Sequence, residues 1–208
     1  LALGDFTVNM GQGLIQWQSL AFKKSVEVMG IKRQSSILRP YSSAGEFYFH
    51  RGAGISIKKG NIESTAFISL RKLSANFVAD TVNNEDFISS FLTSGYHRTS
   101  SEAADKNKLT QSTVGANLLY RGKKFHAGIN GVYYNFSLPV QKREEPYNLY
   151  AIIGTNWFNI SVDYSYTYRN LHFFGEAAVD QHFNKAFVNG LLVSVDPRVD
   201  FSLLHRPI

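Results

Sequence analysis

Residues 158–169, FNISVDYSYTYR, alternate strictly between apolar or aromatic side chains and polar ones. Successive side chains of a β-strand point to opposite faces, so this segment predicts a strand with one apolar and one polar face. The segment is also long, because a strand in a globular protein usually has about 5–6 residues. A chain that contains such a ribbon must place two different environments on the two sides of a sheet.

The same two-residue period recurs along most of the chain and predicts about nine strands. The predicted strands are 46–58, 62–77, 112–121, 125–138, 147–155, 158–168, 171–179, 186–195 and 198–205. Turn residues separate them, among them Lys59-Gly60-Asn61 and Asp196-Pro197. Neighbouring strands joined by such turns predict an all-β fold with an antiparallel, up-and-down meander, in which 112–121 and 125–138 form a hairpin.

Two stretches depart from this period. Residues 1–45 are expected to form an irregular or partly helical lead-in segment, either as an amphipathic helix or folded inside or along a barrel, whereas residues 46–208 supply the barrel strands. Residues 78–111 form a long polar loop, in which Ser100 or Ser101 is expected to cap a short turn that begins near Glu102. Long loops that alternate with tight turns are typical of membrane β-barrels.

Composition restricts the environments open to the chain. The 208 residues carry a net charge of +6, which fits an anionic partner such as nucleic acid or lipopolysaccharide. No cysteine is present, so neither disulfides nor a thiolate metal site can form. Apolar runs are only a few residues long, whereas a membrane-spanning helix needs about 20 such residues. The beginning LALGDF and the end LLHRPI lead us to expect a fragment of a larger protein.

The alternation fits a transmembrane β-barrel better than a soluble sandwich, although a soluble β-barrel or sandwich remains an alternative. A sandwich packs close-fitting aliphatic residues between its sheets. Here the predicted apolar faces carry many rings near strand ends, including Tyr164, Tyr166 and Tyr168, and also Tyr134 and Phe136. Aromatic residues at such positions suit the two membrane–water interfaces. We therefore predict a transmembrane barrel, complete or partial, that crosses the lipid with its strands.

Several segments resemble a known family. GDFTVNMGQGLIQWQ (4–18), KRQSSILRPYSS (32–43), TSGYHRTSSEAADKN (93–107) and DPRVDFSLLHR (196–206) are similar to the barrel region of Bacteroidota outer-membrane proteins with helix-hairpin-helix domains. The resemblance implies location in the outer membrane of a Gram-negative bacterium and contact with its lipid. It also implies a link to DNA binding or uptake, through a helix-hairpin-helix region of which this chain shows no motif. The family supplies no catalytic residues to carry over.

These expectations lead to a function. We expect an outer-membrane barrel that serves passage or docking of a polar solute or macromolecule, with a lumen lined by Asn, Ser, Thr, Lys and Arg and with DNA suggested by the resemblance. Two alternatives stay open. One is a structural or assembly anchor without transport, and the other is a soluble β-rich binding module.

A basic segment near the N-terminus is the first candidate site. It contains Lys23, Lys24, Lys32, Arg33 and Arg39. In a lumen, these side chains would attract the phosphate groups of DNA or another polyanion, in a manner weakened by salt. The alternative is solvated charge, or pairing with lumen acids such as Glu46 and Glu63.

A polar cluster in the long loop is the second candidate. His97 and Arg98 lie close in sequence to Glu102 and Asp105, which suggests a loop that contacts a substrate or gates access. The alternative is a surface loop whose ion pairs fix its own shape.

Catalytic and metal sites are not expected. A hydrolytic barrel enzyme needs a Ser, a His and a residue that orients the His, but no nucleophile elbow accompanies His50, His126 or His172 on their predicted strands. The six histidines form no HxH or HExxH pair, so we expect neither metal nor cofactor. Gly11 and Gly13 of MGQGL lack the strand–helix context of a phosphate loop and instead predict bends or close packing against a strand.

Overall fold

The structure, a computed structural model, describes residues 1–21, 27–43, 45, 47–79, 86–143, 145–148 and 151–207. The twelve strands in this part of the chain belong to one sheet, so the predicted all-β class is confirmed. They are β1 (Ala2–Val8), β2 (Leu38–Pro40), β3 (His50–Lys59), β4 (Ile62–Leu73), β5 (Ala75–Val78), β6 (Phe87–Phe91), β7 (Leu109–Arg121), β8 (Phe125–Val140), β9 (Gly154–Tyr168), β10 (Leu171–Asp180), β11 (Lys185–Asp196) and β12 (Val199–His205). A short helix, α1 (Ser100–Ala104), and two 3₁₀ turns, Val28–Ile31 and Pro146–Asn148, complete the elements.

The strands follow the order β12-β11-β10-β9-β8-β7-β4-β3-β1-β2. Strands β7 to β12 pair with their sequence neighbours, as expected of an antiparallel meander, and the predicted hairpin is β7–β8. β5 and β6 form a small antiparallel ladder beside this path, and a parallel bridge between Ile88 and Val140 joins β6 to β8. Since β4 pairs directly with β7, the residues between them form an excursion from the meander.

The sheet is not closed into a barrel, which differs from the closed wall that the term barrel implies. β12 and β2 lie at the two ends of the strand order, and no ladder joins them among the described residues. β2 has only three residues and includes Pro40, which has no N–H group to donate to a ladder. Both ends of the sheet are therefore open.

The strand count differs from the prediction of about nine. Eight of the predicted segments contain long stretches of strand. The prediction of a strand at 147–155 is wrong for residues 147–148 and 151–153, because Pro146 begins a 3₁₀ turn and only Gly154 and Thr155 belong to a strand, the start of β9. Three short strands were not predicted, namely β1, β2 and β6, and the predicted strand at 62–77 is divided into β4 and β5. The first 45 residues thus contribute two strands, and the connection at 78–111 contains β6 and α1. The cap of α1 is Thr99, not Ser100 or Ser101.

Residues 9–21 and 27–37, here called the inner segment, lie against one face of the sheet, here called the inner face. The Gln16 side chain contacts His50 Nε2 on β3 at 3.1 Å, and the hydroxyl of Tyr134 on β8 donates to Gln16. Gln12 contacts Glu176 on β10, and the 3₁₀ turn Val28–Ile31 lies beside β12. Because one segment reaches strands near both ends of the sheet, the sheet curves around it.

Two apolar clusters fill parts of the inner face. The first joins Phe6 and Val8 of β1 to Phe67, Leu119 and Val132 of the inner face. The second packs Ile88 of β6 against inner-face residues of β4, β7 and β8. The interior is therefore not lined by polar residues alone, in contrast to the lumen predicted from the sequence.

The opposite face, here called the outer face, carries apolar side chains that are exposed. On β9, Ile160 is 37% exposed and Val162 is 49% exposed, whereas their neighbours Ser161 and Asp163 are 1% and 4% exposed. The outer face continues this pattern across the sheet with Ile55, Ile57, Ile68, Leu70, Val114, Leu118, Ile129, Tyr133, Tyr164, Tyr166, Tyr168, Phe173, Phe187, Phe201 and Leu203. The prediction placed Tyr134 and Phe136 on the apolar outer side, but both side chains belong to the inner side, where they pack in the second cluster.

Candidate functional site

A cavity of about 510 Å³ lies between the inner segment and the inner face. Its lining includes Lys32 and Arg33 from the inner segment, and Arg121, His126 and Asp163 from β7, β8 and β9. This size falls within the range of small-molecule sites, which is about 300–1,000 Å³. The cavity brings charged groups from distant parts of the sequence together and is the candidate functional site.

Asn9 joins the two parts of the inner segment, residues 9–21 and 27–37. Its amide nitrogen donates to Ser35 Oγ and to the Ser36 carbonyl, both at 3.2 Å. Its amide oxygen accepts from the backbone N–H groups of Gln18 at 3.0 Å and Ser19 at 2.8 Å. Asn9 is 2% exposed, so these hydrogen bonds satisfy a buried amide and fix the wall of the cavity.

Arg33 is held from two sides. Its backbone N–H donates to Gln12 Oε1 at 3.0 Å, and its guanidinium carbon lies 5.3 Å from the centroid of the Trp17 ring. Gly13 leaves space for the guanidinium, because a Cβ at Gly13 would lie 2.3 Å from Arg33 Nη1. Burial lowers the pKa of Arg33, and nearby Arg206 lowers it further, whereas Glu176 opposes the change.

Lys32 is the second cation of the inner segment in the cavity. Its ammonium group donates to His172 Nε2 at 2.7 Å, and His172 Nδ1 lies 2.7 Å from Thr167 Oγ1. Since an ammonium group can only donate, Nε2 accepts and the proton of the neutral imidazole lies on Nδ1, directed at Thr167. Burial lowers the pKa of Lys32, and Asp163 only partly offsets this effect.

A ladder of polar side chains crosses β7, β8 and β9 at the bottom of the cavity. Asn117 Nδ2 donates to Asn130 Oδ1 at 2.6 Å, and Asn130 Nδ2 donates to Asp163 Oδ2 at 2.9 Å. Asp163 Oδ1 lies 3.1 Å from His126 Nε2, and His126 Nδ1 lies 2.9 Å from Ser165 Oγ. These bonds satisfy side chains that the sheet buries, and they couple three neighbouring strands.

The end of this ladder has the residue types of a nucleophilic triad. Asp163 contacts His126, and His126 contacts Ser165, as the sequence argument required of a hydrolytic site. However, Ser165 is 6% exposed and is not part of the cavity lining, so a ligand in the cavity does not reach its hydroxyl. The expectation of a protein without enzymatic activity remains a prediction.

The predicted basic segment is divided in the structure. Lys32 and Arg33 line the cavity, whereas Arg39 lies exposed on β2, away from it. Lys23 and Lys24 lie outside the described residues, as does Glu46. Glu63, the other predicted acidic partner, pairs instead with Arg121 at 3.3 Å.

The predicted loop cluster is held by local bonds. Glu102 Oε2 accepts from the backbone N–H of Arg98 at 2.7 Å, and His97 Nδ1 lies 3.1 Å from the Glu102 carbonyl. Thr99 and Glu102 form a reciprocal capping box at the start of α1. Asp105 Oδ1 instead accepts from the backbone N–H of Phe77 at 3.3 Å. The contacts fit a loop whose polar groups fix its own shape.

Most of the cavity lining was not selected from the sequence, including Gln12, Asn117, Arg121 and Asp163. Asp163 was on the predicted polar face of its strand, which was the available signal for it. Nothing in the sequence indicated Gln12, because it lies in a segment without a periodic pattern of apolar residues.

Metal binding finds no support in the described residues, where no group of three or more His, Cys, Asp or Glu side chains is placed to hold an ion. Within the same residues, no helix combines the length and apolar character needed to cross a membrane. No protein-family model, curated protein or solved structure matches the chain.

Proposed function

We propose that the chain forms part of the wall of an outer-membrane β-barrel that serves passage or docking of a polar solute. The observation that carries this proposal is the contrast between the two sides of the sheet. The outer face exposes Ile160 and Val162, whereas the inner face buries Ser161, Asp163 and Glu176. A water-soluble sandwich would place the apolar side in its core.

The energetics of the outer face support a lipid environment. Soluble monomers rarely expose apolar patches larger than a few hundred Å², and the exposed residues extend from β3 to β12. In lipid, the same side chains face hydrocarbon at no cost, while the backbone groups pair within the sheet. The open ends at β2 and β12 would then need pairing, either with each other or with further strands.

Site-directed labelling tests this proposal directly, because the chain contains no cysteine. A single cysteine carrying an environment-sensitive dye would replace Ile160 or Val162 on the outer face. The matched controls are Asn159 and Thr167, half-buried positions on the inner side of the same strand. After reconstitution in lipid vesicles, quenchers attached to lipid chains should quench the two outer labels and spare the two inner ones. Equal quenching at all four positions, or a protein that stays in water without detergent, would contradict the proposal.

A second function, a structural or assembly anchor without transport, is favoured by one observation. The inner segment crosses the inner face and contacts β3, β8 and β10, so it occupies space through which a solute would pass. Conductance in planar bilayers separates the two functions. Passage predicts a solute current that changes when residues 93–107, between β6 and β7, are deleted, whereas an anchor predicts no current in the intact protein.

The link to DNA rests on the resemblance of the sequence alone. It would operate through a helix-hairpin-helix region and not through the residues described above. Translocation of labelled DNA by the reconstituted protein would support this link, and its absence would refute the link.

A further inference from the structure

The cavity holds two fixed cations without a carboxylate partner. The ion pairs among the described residues are Asp5–Arg51, Glu102–Arg98, Glu63–Arg121 and Asp163–His126, and none involves Lys32 or Arg33. Asp163 lines the cavity, but its two oxygens are engaged by Asn130 and His126. Glu176 lies near Arg33 but binds two backbone N–H groups of the inner segment. The lining has three cationic side chains, Lys32, Arg33 and Arg121, and one carboxylate, Asp163. Even with Arg121 paired to Glu63, the cavity keeps an excess of positive charge for a ligand.

These cations are held in place before any ligand arrives. The Trp17 ring and the Gln12 side chain fix Arg33, and His172 fixes Lys32. Both side chains are half-buried, and burial lowers the pKa of each. Removing a cation from water has a cost, which an anion bound beside it would offset.

Neutral groups of the lining add hydrogen-bonding capacity. Ser35, Ser36 and Gln34 supply donors from the inner segment. Asn117 is 5% exposed, and its Oδ1 is buried with no hydrogen-bond partner among the described residues. Because this oxygen is not exposed to the cavity, the lining offers a ligand donors and two cations.

We propose that this cavity binds a small phosphate-bearing solute, with Lys32 and Arg33 contacting the phosphate. The proposal rests on the proposed function and names the kind of polar solute. Arginine and lysine pair strongly with phosphate, whose several oxygens match the number of donors. A volume of about 510 Å³ suits a phosphorylated small molecule, not a nucleic acid chain.

Calorimetric titration of the protein in detergent micelles tests the proposal. The probes are inorganic phosphate, a hexose phosphate and the same hexose without phosphate. Saturable binding is expected for both phosphates and not for the hexose without phosphate, because Lys32 and Arg33 contact the phosphate group. Equal binding of the hexose with and without phosphate would overturn the assignment of these two cations, and binding of inorganic phosphate but not of the hexose phosphate would overturn the phosphorylated solute. Absence of saturable binding to either phosphate would overturn the proposal.

Charge-matched variants locate the site. Lys32→Gln and Arg33→Gln should each weaken hexose phosphate binding by about tenfold, because each removes a charged hydrogen bond. Arg39→Gln removes the same charge from an exposed position on β2 and should leave binding unchanged. Lys32→Arg keeps the charge and should retain most of the affinity. An equal loss in Arg39→Gln would indicate diffuse attraction by surface charge and would overturn the site.

A measurement on the unaltered protein covers the case in which the variants do not fold. Acylation of lysine amines, followed by mass spectrometry, should be slowed by hexose phosphate at Lys32 and not at the exposed Lys58. Unchanged modification of Lys32 at saturating ligand would overturn the proposal. The failures are distinguishable, because binding in micelles does not depend on which face contacts lipid. If phosphate does not bind but lipid quenching is as expected, only the proposed ligand is refuted. If phosphate binds but the outer labels are not quenched by lipid, only the proposed membrane barrel is refuted.

Discussion

The carboxylate of Glu176 binds the backbone of Gln12 across the inner face, with 2.7 Å between Glu176 Oε2 and Gln12 N. The same oxygen accepts from Leu14 N at 3.0 Å. Glu176 belongs to β10 and is 1% exposed, whereas the inner segment follows β1 at the other end of the strand order. This one side chain therefore ties the inner segment to the far part of the sheet.

Replacing this carboxylate should loosen the inner segment. Glu176→Ala leaves two backbone N–H groups without an acceptor, at a cost of about 1–3 kcal/mol. Hydrogen exchange at Gln12 and Leu14 should accelerate accordingly. The control is Glu63→Ala, which breaks a partly exposed ion pair with Arg121 and should cost less than about 1 kcal/mol. Unchanged exchange at both amides would show that Glu176 does not hold the segment.

Gly11 packs directly against this carboxylate, and its substitution should be more costly than its backbone angle alone explains. Gly11→Ala would place a Cβ 2.7 Å from the Glu176 carboxyl carbon, at a φ of +52°. Gly60 has a similar φ of +59°, but a Cβ there would meet nothing within 4 Å. Both substitutions carry a left-handed penalty of about 1 kcal/mol. The free energy of unfolding should fall further for Gly11→Ala, and equal losses would exclude the packing effect.

The regular strands could be predicted from sequence because their period is local. In β9 the alternation of Phe158 to Tyr168 is complete, and β7 and β8 flank an evident turn. Short strands carry too few residues for a pattern: β2 has three, and Gly4 and Asp5 interrupt β1. In β8, the pairing register with β7 decides which side chains point to the inner face. Asn130 pairs with Asn117 inside the sheet, and this places Tyr134 and Phe136 on the same side.

The candidate site was only partly accessible to sequence reasoning. Lys32 and Arg33 were selected for their charge, and Gly11 and Gly13 were expected to permit close packing against a strand, which agrees with the contact between Gly11 and Glu176. The strand residues that Lys32 and Gly11 contact, His172 and Glu176, lie far away in the sequence. No local pattern records such a contact, because it depends on how the sheet curves around the inner segment.

A charge in the middle of the outer face distinguishes lipid from water. Val162 lies near the middle of β9, and Tyr168 ends the same strand. In a membrane barrel, Val162→Lys should lower the free energy of unfolding in lipid by about 2–4 kcal/mol, and Tyr168→Lys by about 0–1 kcal/mol. Denaturant titration of the protein folded into vesicles measures both. Since both side chains are exposed, a water-facing sheet would tolerate both substitutions within about 0.5 kcal/mol.

The capping box of α1 should respond to acid. The backbone N–H of Arg98 donates to the Glu102 carboxylate and lowers the pKa of Glu102 below its usual value of 4.5. A carboxyl whose pKa is lower in the folded loop stabilises that loop above the unfolded pKa, and this contribution is lost as the pH falls through the folded pKa. Because Glu102 is partly exposed and accepts hydrogen bonds from loop residues, the effect is confined to the loop and should leave the sheet unchanged.

Amide exchange of the loop against pH measures this effect. Protection of the Arg98 and Thr99 N–H groups, which both donate to Glu102 Oε2, should be constant near neutral pH and fall below about pH 4.5. Glu102→Gln keeps an acceptor oxygen but cannot titrate, so its protection should be lower at neutral pH and should not fall in acid. If the unaltered protein and Glu102→Gln lose protection in parallel as the pH falls, another group causes the acid response. Only the unaltered protein has a carboxylate at position 102 that acid can neutralise.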